Sequence, residues 1–249
     1  ASLGVDMSNG IKMAVAEVNA KGGINGKQVE VIFEDGRCNG ADAASAAQKL
    51  VNVDKVVTII GGLCSGETLA AAPIVEAAKI VLVSPGSSSP DVTNAGTYVF
   101  RNYPSDALKT VATAKVVKEA GYKTVAMISE NTDFCQGVVR GMHKDVGDSG
   151  IVFDETVEPG TKDFRSVLEK MKKTEFDVFY PNTNGDATMA ALIQQYRDAG
   201  FKQPILSHEV ADSSTMGDNA KEAVEGMQIV TVKTSGEGTD FEKSFLQQY

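Results

Sequence analysis

Two small-residue, hydroxyl-rich turns carry the residues best suited to hold an anion: Gly61-Gly62-Leu63-Cys64-Ser65-Gly66-Glu67 and Ser84-Pro85-Gly86-Ser87-Ser88-Ser89-Pro90. Each follows directly on a short apolar run, at 56–60 and 80–83. Continuous β-branched runs of that length read as strands buried on both faces of a parallel sheet. Where such a strand gives way to a helix through a Gly/Ser turn, free backbone N–H groups and the positive end of the helix dipole gather at the carboxyl edge of the sheet. Ser65, Ser87 and Ser88 add hydroxyl donors. Two or three charge-assisted hydrogen bonds of this kind hold a carboxylate or phosphate without any lysine or arginine. Helix capping is the other role open to these serines.

A carboxylate stands at a comparable place further along. Glu209 ends Pro204-Ile205-Leu206-Ser207-His208-Glu209, at the carboxyl end of an apolar strand, where an ammonium group is its natural partner. An exposed or N-capping acid is the alternative. The turns Asn131-Thr132-Asp133-Phe134 and Asn182-Thr183-Asn184-Gly185-Asp186 occupy equivalent strand ends, with Phe134 either a ligand-stacking wall or ordinary packing. Catalytic signatures do not occur: the chain has no G-x-S-x-G elbow, no G-x-x-x-x-G-K-[ST] loop, no G-x-G-x-x-G opening a helix and no H-E-x-x-H. His143 and His208 lack metal-ligand spacing and are expected on a helix surface and at the strand end beside Glu209. No catalytic residue, metal or cofactor is expected.

The 249 residues carry a net charge of -9, which disfavours a nucleic-acid partner because nothing supplies the basic stripe that phosphate backbones require. No apolar stretch approaches the roughly 20 residues that span a bilayer, so direct membrane insertion is not expected and the partner is small. Cys38 and Cys64 lie just beyond the apolar runs at 29–33 and 56–60, two segments that suit strands of one sheet. A bridge between them would close a loop of roughly 25 residues, contribute about 3 kcal/mol and imply an oxidising compartment; two free buried thiols are the alternative. Cys135 is left over, and reads as a partly buried free thiol because no activating base can be placed beside it.

Positioning these turns requires a βα rhythm. Helical spacing covers 7–20, the turn at 21–26 ends it, and a strand is expected at 29–33. A helix at 41–51, the strand ending at 60, a helix at 68–78 that Pro73 weakens, the strand at 80–83 and an extended piece at 98–100 follow. The rhythm then repeats: helix 108–120, strand 124–128, helix 136–146, strand 151–157, helix 164–172, strand 178–180, helix 187–199, and strands at 205–207 and 228–232. Residues 43–89 and 164–211 share one layout, which matches Ser65 to the Asn184-Gly185 turn and Ser87 to Glu209 as an internal pseudo-repeat. The fold class is therefore α/β, with parallel, doubly wound sheets. A boundary is expected at 102–106, a second crossing at 233–238, and the start of a helix at 240–249.

Three motifs in order, Asn19-Ala20-Lys21-Gly22-Gly23-Ile24-Asn25-Gly26-Lys27, the G-x-L-C-S turn at 61–65 and the S-P-G turn at 84–86, resemble the periplasmic branched-chain amino acid binding proteins, the type I solute-binding proteins of ABC importers. The resemblance covers essentially the whole chain. It implies two lobes joined by a hinge that close over a ligand like a flytrap: 1–104, 105–233, and a return segment at 234–249. It further implies that Ser65 and Ser88 bind a ligand's α-carboxylate together with the amides of Gly86 and Ser87, that Glu209 takes the α-ammonium, and that Cys38 and Cys64 form a disulfide. The expected partners are an amino acid or amino-acid-like carboxylate and a membrane permease, and the expected location is periplasmic or at the cell surface. Two departures stand out. Phe134 replaces the family's tyrosine, and Asn184 lies where a second aromatic aligns, which makes the pocket more polar. Family members also begin with a strand before the first helix and continue past Tyr249, so the first lobe is expected to be incomplete, with exposed strand edges and poor independent stability. The opening strand would sit between 29–33 and 56–60, which then could not pair normally. A ligand-sensing domain of the same fold in a receptor or regulator is the rival reading, and an enzyme using Ser65 or Cys135 a third.

Overall fold

Apolar runs bounded by glycine turns become strands, and the alanine-rich segments between them become helices. The computed structural model describes residues 2–213, 216–217 and 220–232. The crossing expected at 233–238 and the helix start at 240–249 lie outside them. The first part of the chain comprises α1 (Ser2–Ala20), α2 (Gly40–Asn52), β1 (Thr58–Ile60), α3 (Ser65–Ala78), β2 (Val81–Ser84) and β3 (Val99–Arg101). Its strands are parallel in the order β1-β2-β3, with Ile59 opposite Leu82 and Leu82 opposite Val99. One face of this sheet is packed by Ala47, Ala71, Ala72 and Val75 around Leu82 and Val99. Apolar side chains elsewhere on or beside these strands remain in solvent: Val57, just ahead of β1, is 89% exposed, and Ile60 and Phe100 are also exposed.

The strand expected at 29–33 does not form. Residues 28–36 join no ladder, and the backbone is tied there by the Asn19 side chain, which accepts from Val29 N–H at 2.7 Å and donates to Val29 O at 2.9 Å. A strand exists only where a neighbour completes its hydrogen bonds, and β1 has its neighbour on the β2 side alone. Helix α3 opens at Ser65, three residues ahead of the expected start, because the Glu67 carboxylate accepts from Cys64 N–H at 2.9 Å and closes the first turn. The other Glu67 oxygen accepts from Cys38 N–H at 2.9 Å. One buried carboxylate therefore fixes the backbone on both sides of the Cys38–Cys64 disulfide, whose Cα atoms stand 5.3 Å apart. A side chain at Gly36 or Gly62 would run into Glu67, which accounts for glycine at both.

The second part comprises α4 (Asp106–Glu119), β4 (Val125–Glu130), α5 (Asp133–Val146), β5 (Ile151–Val157), α6 (Arg165–Met171), β6 (Val178–Asn182), α7 (Asp186–Asp198), β7 (Leu206–His208) and β8 (Gln228–Val230). The pairing is β5-β4-β6, continued to β7-β8 through a bridge between Phe179 and Ile205. Strand order reverses between β4 and β6, so the crevice beyond their carboxyl ends is where an open α/β sheet receives a ligand. β4 is buried along its whole length and packs both ways. Val125 and Met127 meet Phe134, Val138, Met142 and Tyr180, while Ala126 and Ile128 meet Phe164, Leu168, Leu192 and Ile193. Tyr196 stacks between Phe179 and Phe201 at centroid distances of 4.4 and 4.7 Å. The run α2-β1-α3-β2 has the same layout as α6-β6-α7-β7, as the pseudo-repeat anticipated.

Cys135 lies in the first turn of α5 and is fully buried, and burial pushes its thiol up to about 12. The expected result is no labelling by iodoacetamide at pH 8 in the folded state, with the thiol reacting once denaturant unfolds the chain. Rapid native labelling would show that this helix turn opens locally.

Candidate functional site

The carboxyl ends of the two sheets meet closely, and small residues let them. A Cβ at Gly66 would stand 2.7 Å from Asp133 Oδ2, and one at Gly137 would stand 2.9 Å from Pro90 Cδ. Arg140 Nη2 donates to Asp91 Oδ2 at 2.5 Å across the same junction. Asn184 Nδ2 lies 3.1 Å from Cys38 Sγ, so this expected site residue faces the disulfide. Its backbone N–H donates to Glu130 Oε2 at 2.6 Å, and Glu130 also accepts from Gly160 N–H at 2.8 Å. The buried acid at the end of β4 thus shapes this turn as Glu67 shapes the other.

The serines divide by function. Ser65 is buried, and its hydroxyl oxygen accepts from Ser89 N–H at 3.1 Å, which joins the two turns. Among the described residues nothing accepts the Ser65 hydroxyl proton, so it retains a donor. Ser87 is turned into the protein: its hydroxyl lies 2.8 Å from Thr68 Oγ1 and donates to Gly62 O at 3.2 Å. The amides of Ser87 and Gly86 both donate to Ser84 Oγ, at 2.9 and 3.3 Å. The Ser87 hydroxyl and these two amides, expected as ligand donors, are thus engaged within the protein in this structure, where Ser84 closes the turn on itself. Gly86 is required for packing as well, because a Cβ there would stand 3.1 Å from Leu63 O. Arg101 gathers the carbonyls behind the turn, donating to Ser89 O at 2.7 Å and Ser87 O at 3.3 Å. Ser88 donates its hydroxyl to Asp106 Oδ2 at 2.9 Å.

Glu209 does not stand as an open acid. Lys109 Nζ lies 2.7 Å from each of its oxygens and 2.7 Å from Asp106 Oδ1. Phe134 packs edge-on to His208 at 5.2 Å and turns its face to Lys109, whose Nζ sits 4.8 Å from the ring centroid. Ser88, Phe134 and Glu209 are thus brought together, through Asp106 and Lys109. Asp106 and Lys109 share a face of the first turn of α4, which Ser105 caps. Burial pushes the Asp106 carboxyl above its ordinary range, against the pull of Lys109 and Ser88. Burial also raises the Tyr103 phenol to about 12, helped by the charges of Glu209 and Asp106. His208 is held neutral, well below its usual value, by burial first and by the Lys109 charge second. Lys109 and Glu209 line a cavity of about 160 Å³ with Tyr103, Pro104, Ala112 and Val230.

Sequence reasoning passed over Glu67, Arg101, Asp106, Lys109 and Glu130. The Asp106-x-x-Lys109 spacing directly after a serine cap was a readable signal for one pair. The others announce themselves only once distant loops are brought together.

A sequence-family profile described as periplasmic binding protein matches residues 1–249. The leucine-specific-binding protein of Salmonella typhimurium is 30% identical over 230 residues, covering 90% of this chain and 62% of that protein. The Leu/Ile/Val-binding protein of Escherichia coli is 28% identical over 229 residues, covering 90% and 62% respectively. The crystal structure of the substrate-binding protein LivJ from Streptococcus pneumoniae, in complex with isoleucine, superposes with a TM-score of 0.85 at 27% identity, covering 99% of this chain and 72% of that one. The chain therefore spans less than two thirds of the length of these curated relatives.

Proposed function

Because the chain belongs to the periplasmic binding protein family, we propose that it is the solute-capturing component of an ABC importer, with a cleft that seats a small carboxylate, an amino acid or a close relative of one. The carrying observation is Ser65: a buried hydroxyl at the first turn of α3, tied to the second turn through Ser89 and left with its proton uncommitted among the described residues. A carboxylate there receives that hydroxyl bond and the favourable end of the helix dipole. Residues 1–104 and 105–233 act as two lobes, with the segment around Tyr103-Pro104-Ser105 as a hinge. A ligand that touches both lobes favours the closed form, and closure is what a membrane permease reads. The relatives named for leucine, isoleucine and valine support this reading. The Cys38–Cys64 disulfide supports a periplasmic or cell-surface location, since such bonds persist in oxidising compartments. The role is binding rather than catalysis.

The test is calorimetry on the whole protein, stripped of co-purified ligand, against amino acids and other small carboxylates, with small-angle scattering on the same samples. A carboxylate that binds in the micromolar range or tighter, and contracts the particle, is the expected outcome. Turnover of the ligand, or no binding by any carboxylate, contradicts it.

A further inference from the structure

Glu209 is the acid an α-ammonium would need, and both its oxygens are taken by Lys109 at 2.7 Å. The lysine's third proton faces Asp106 Oδ1 at 2.7 Å, and the remaining Asp106 oxygen accepts from Ser88 at 2.9 Å. All four carboxylate oxygens of the cluster are therefore partnered from within the chain. The face of Phe134, the other feature that attracts a cation, is occupied by the same ammonium at 4.8 Å. Lys109 is not a surface lysine drifting over an acid: its side chain is 8% exposed and fixed by three contacts. A ligand's ammonium entering here would meet a buried like charge and would have to share every carboxylate oxygen with a donor already in place.

The polar atoms left without a partner nearby ask for something else. Tyr180 Oη, Asn182 Oδ1 and His208 Nε2 are fully buried and unpaired among the described residues, and the Tyr180 and His208 rings lie 6.0 Å apart. His208 Nδ1 stands 3.5 Å from the Val210 amide nitrogen and 3.9 Å from Glu209 Oε2, and burial keeps the ring neutral. These orphans are uncharged groups, which suit a neutral carbonyl or hydroxyl on the ligand. We propose that Lys109 permanently fills the cation seat beside Glu209, so that the cleft selects a carboxylate without an α-ammonium, of the 2-oxo or 2-hydroxy acid class. This rests on the carboxylate reading of the Ser65 turn.

The test compares ligands matched in carbon skeleton on the stripped whole protein by calorimetry: leucine with 4-methyl-2-oxopentanoate, valine with 3-methyl-2-oxobutanoate, phenylalanine with phenylpyruvate. The oxo acid of the best-binding pair is expected to bind at least tenfold tighter than its amino acid. Lys109→Gln should shrink or reverse that ratio by at least tenfold, while Lys109→Arg, which keeps the charge, preserves the preference. Tighter binding of the amino acid, or a ratio unmoved by Lys109→Gln, overturns the proposal and leaves the carboxylate reading standing. Should no member of any pair bind, the carboxylate reading falls and takes the proposal with it. If Lys109→Gln fails to fold, the wild-type ratio and Lys109→Arg decide.

Discussion

Glu209→Ala is expected to lower folding stability by about 3 kcal/mol, because it removes the better partner of an ammonium that cannot return to water. Lys109 is 8% exposed and Glu209 19%, so neither charge is screened as a surface pair would be. Breaking a buried pair costs roughly 3–5 kcal/mol, and the lower end applies because Asp106 keeps one contact with Lys109. In a protein of this size such a loss lowers the melting temperature by roughly 6–12 °C. Lys109→Met in the same background should recover part of it, since the stranded ammonium is gone and the stem still packs against Phe134, while the buried Asp106 carboxyl loses its cation. A Glu209→Ala protein that melts with the wild type would mean the pair is solvated, and the fixed position of Lys109 would be lost with it.

Ser65→Ala is expected to weaken the tightest-binding carboxylate by roughly 10- to 100-fold, the range for losing one hydrogen bond to a charged group. Stability should fall by about 1 kcal/mol alongside, because Ser89 N–H loses its acceptor in a buried setting. Ser87→Ala is the informative control. The Ser87 hydroxyl is buried against Thr68 and Gly62, so this change should lower stability while affinity stays within a factor of about three, which corresponds to less than one net hydrogen bond. Calorimetry and thermal melts on the pair separate the two roles. Equal losses of affinity in both variants would show that the turn acts as a unit and that Ser65 has no special position.

The alternation of apolar runs with alanine-rich segments was enough to place the parallel strands and the helices between them, because strand length and glycine turns are local properties. It failed at 29–33, where an equally apolar run forms no ladder, since a strand depends on a neighbour that local pattern cannot supply. The turns at Ser65 and Ser84–Ser89 were legible from their composition. Which of their donors remain open was not, because Ser84 and Thr68 consume those of Ser87 through contacts that only folding creates. Glu209 was legible as a strand-end acid. Its partner was not, since Lys109 stands 100 residues earlier in the chain and meets it only when α4 packs across the sheet.

The most direct measurement of the central claim is a crystal structure of the whole protein saturated with the carboxylate it binds most tightly. A ligand carboxylate oxygen is expected about 2.6–3.0 Å from Ser65 Oγ, the distance of a hydroxyl bond to a charged oxygen. A carboxylate held elsewhere in the cleft, with Ser65 still bonded only to Ser89, would contradict it.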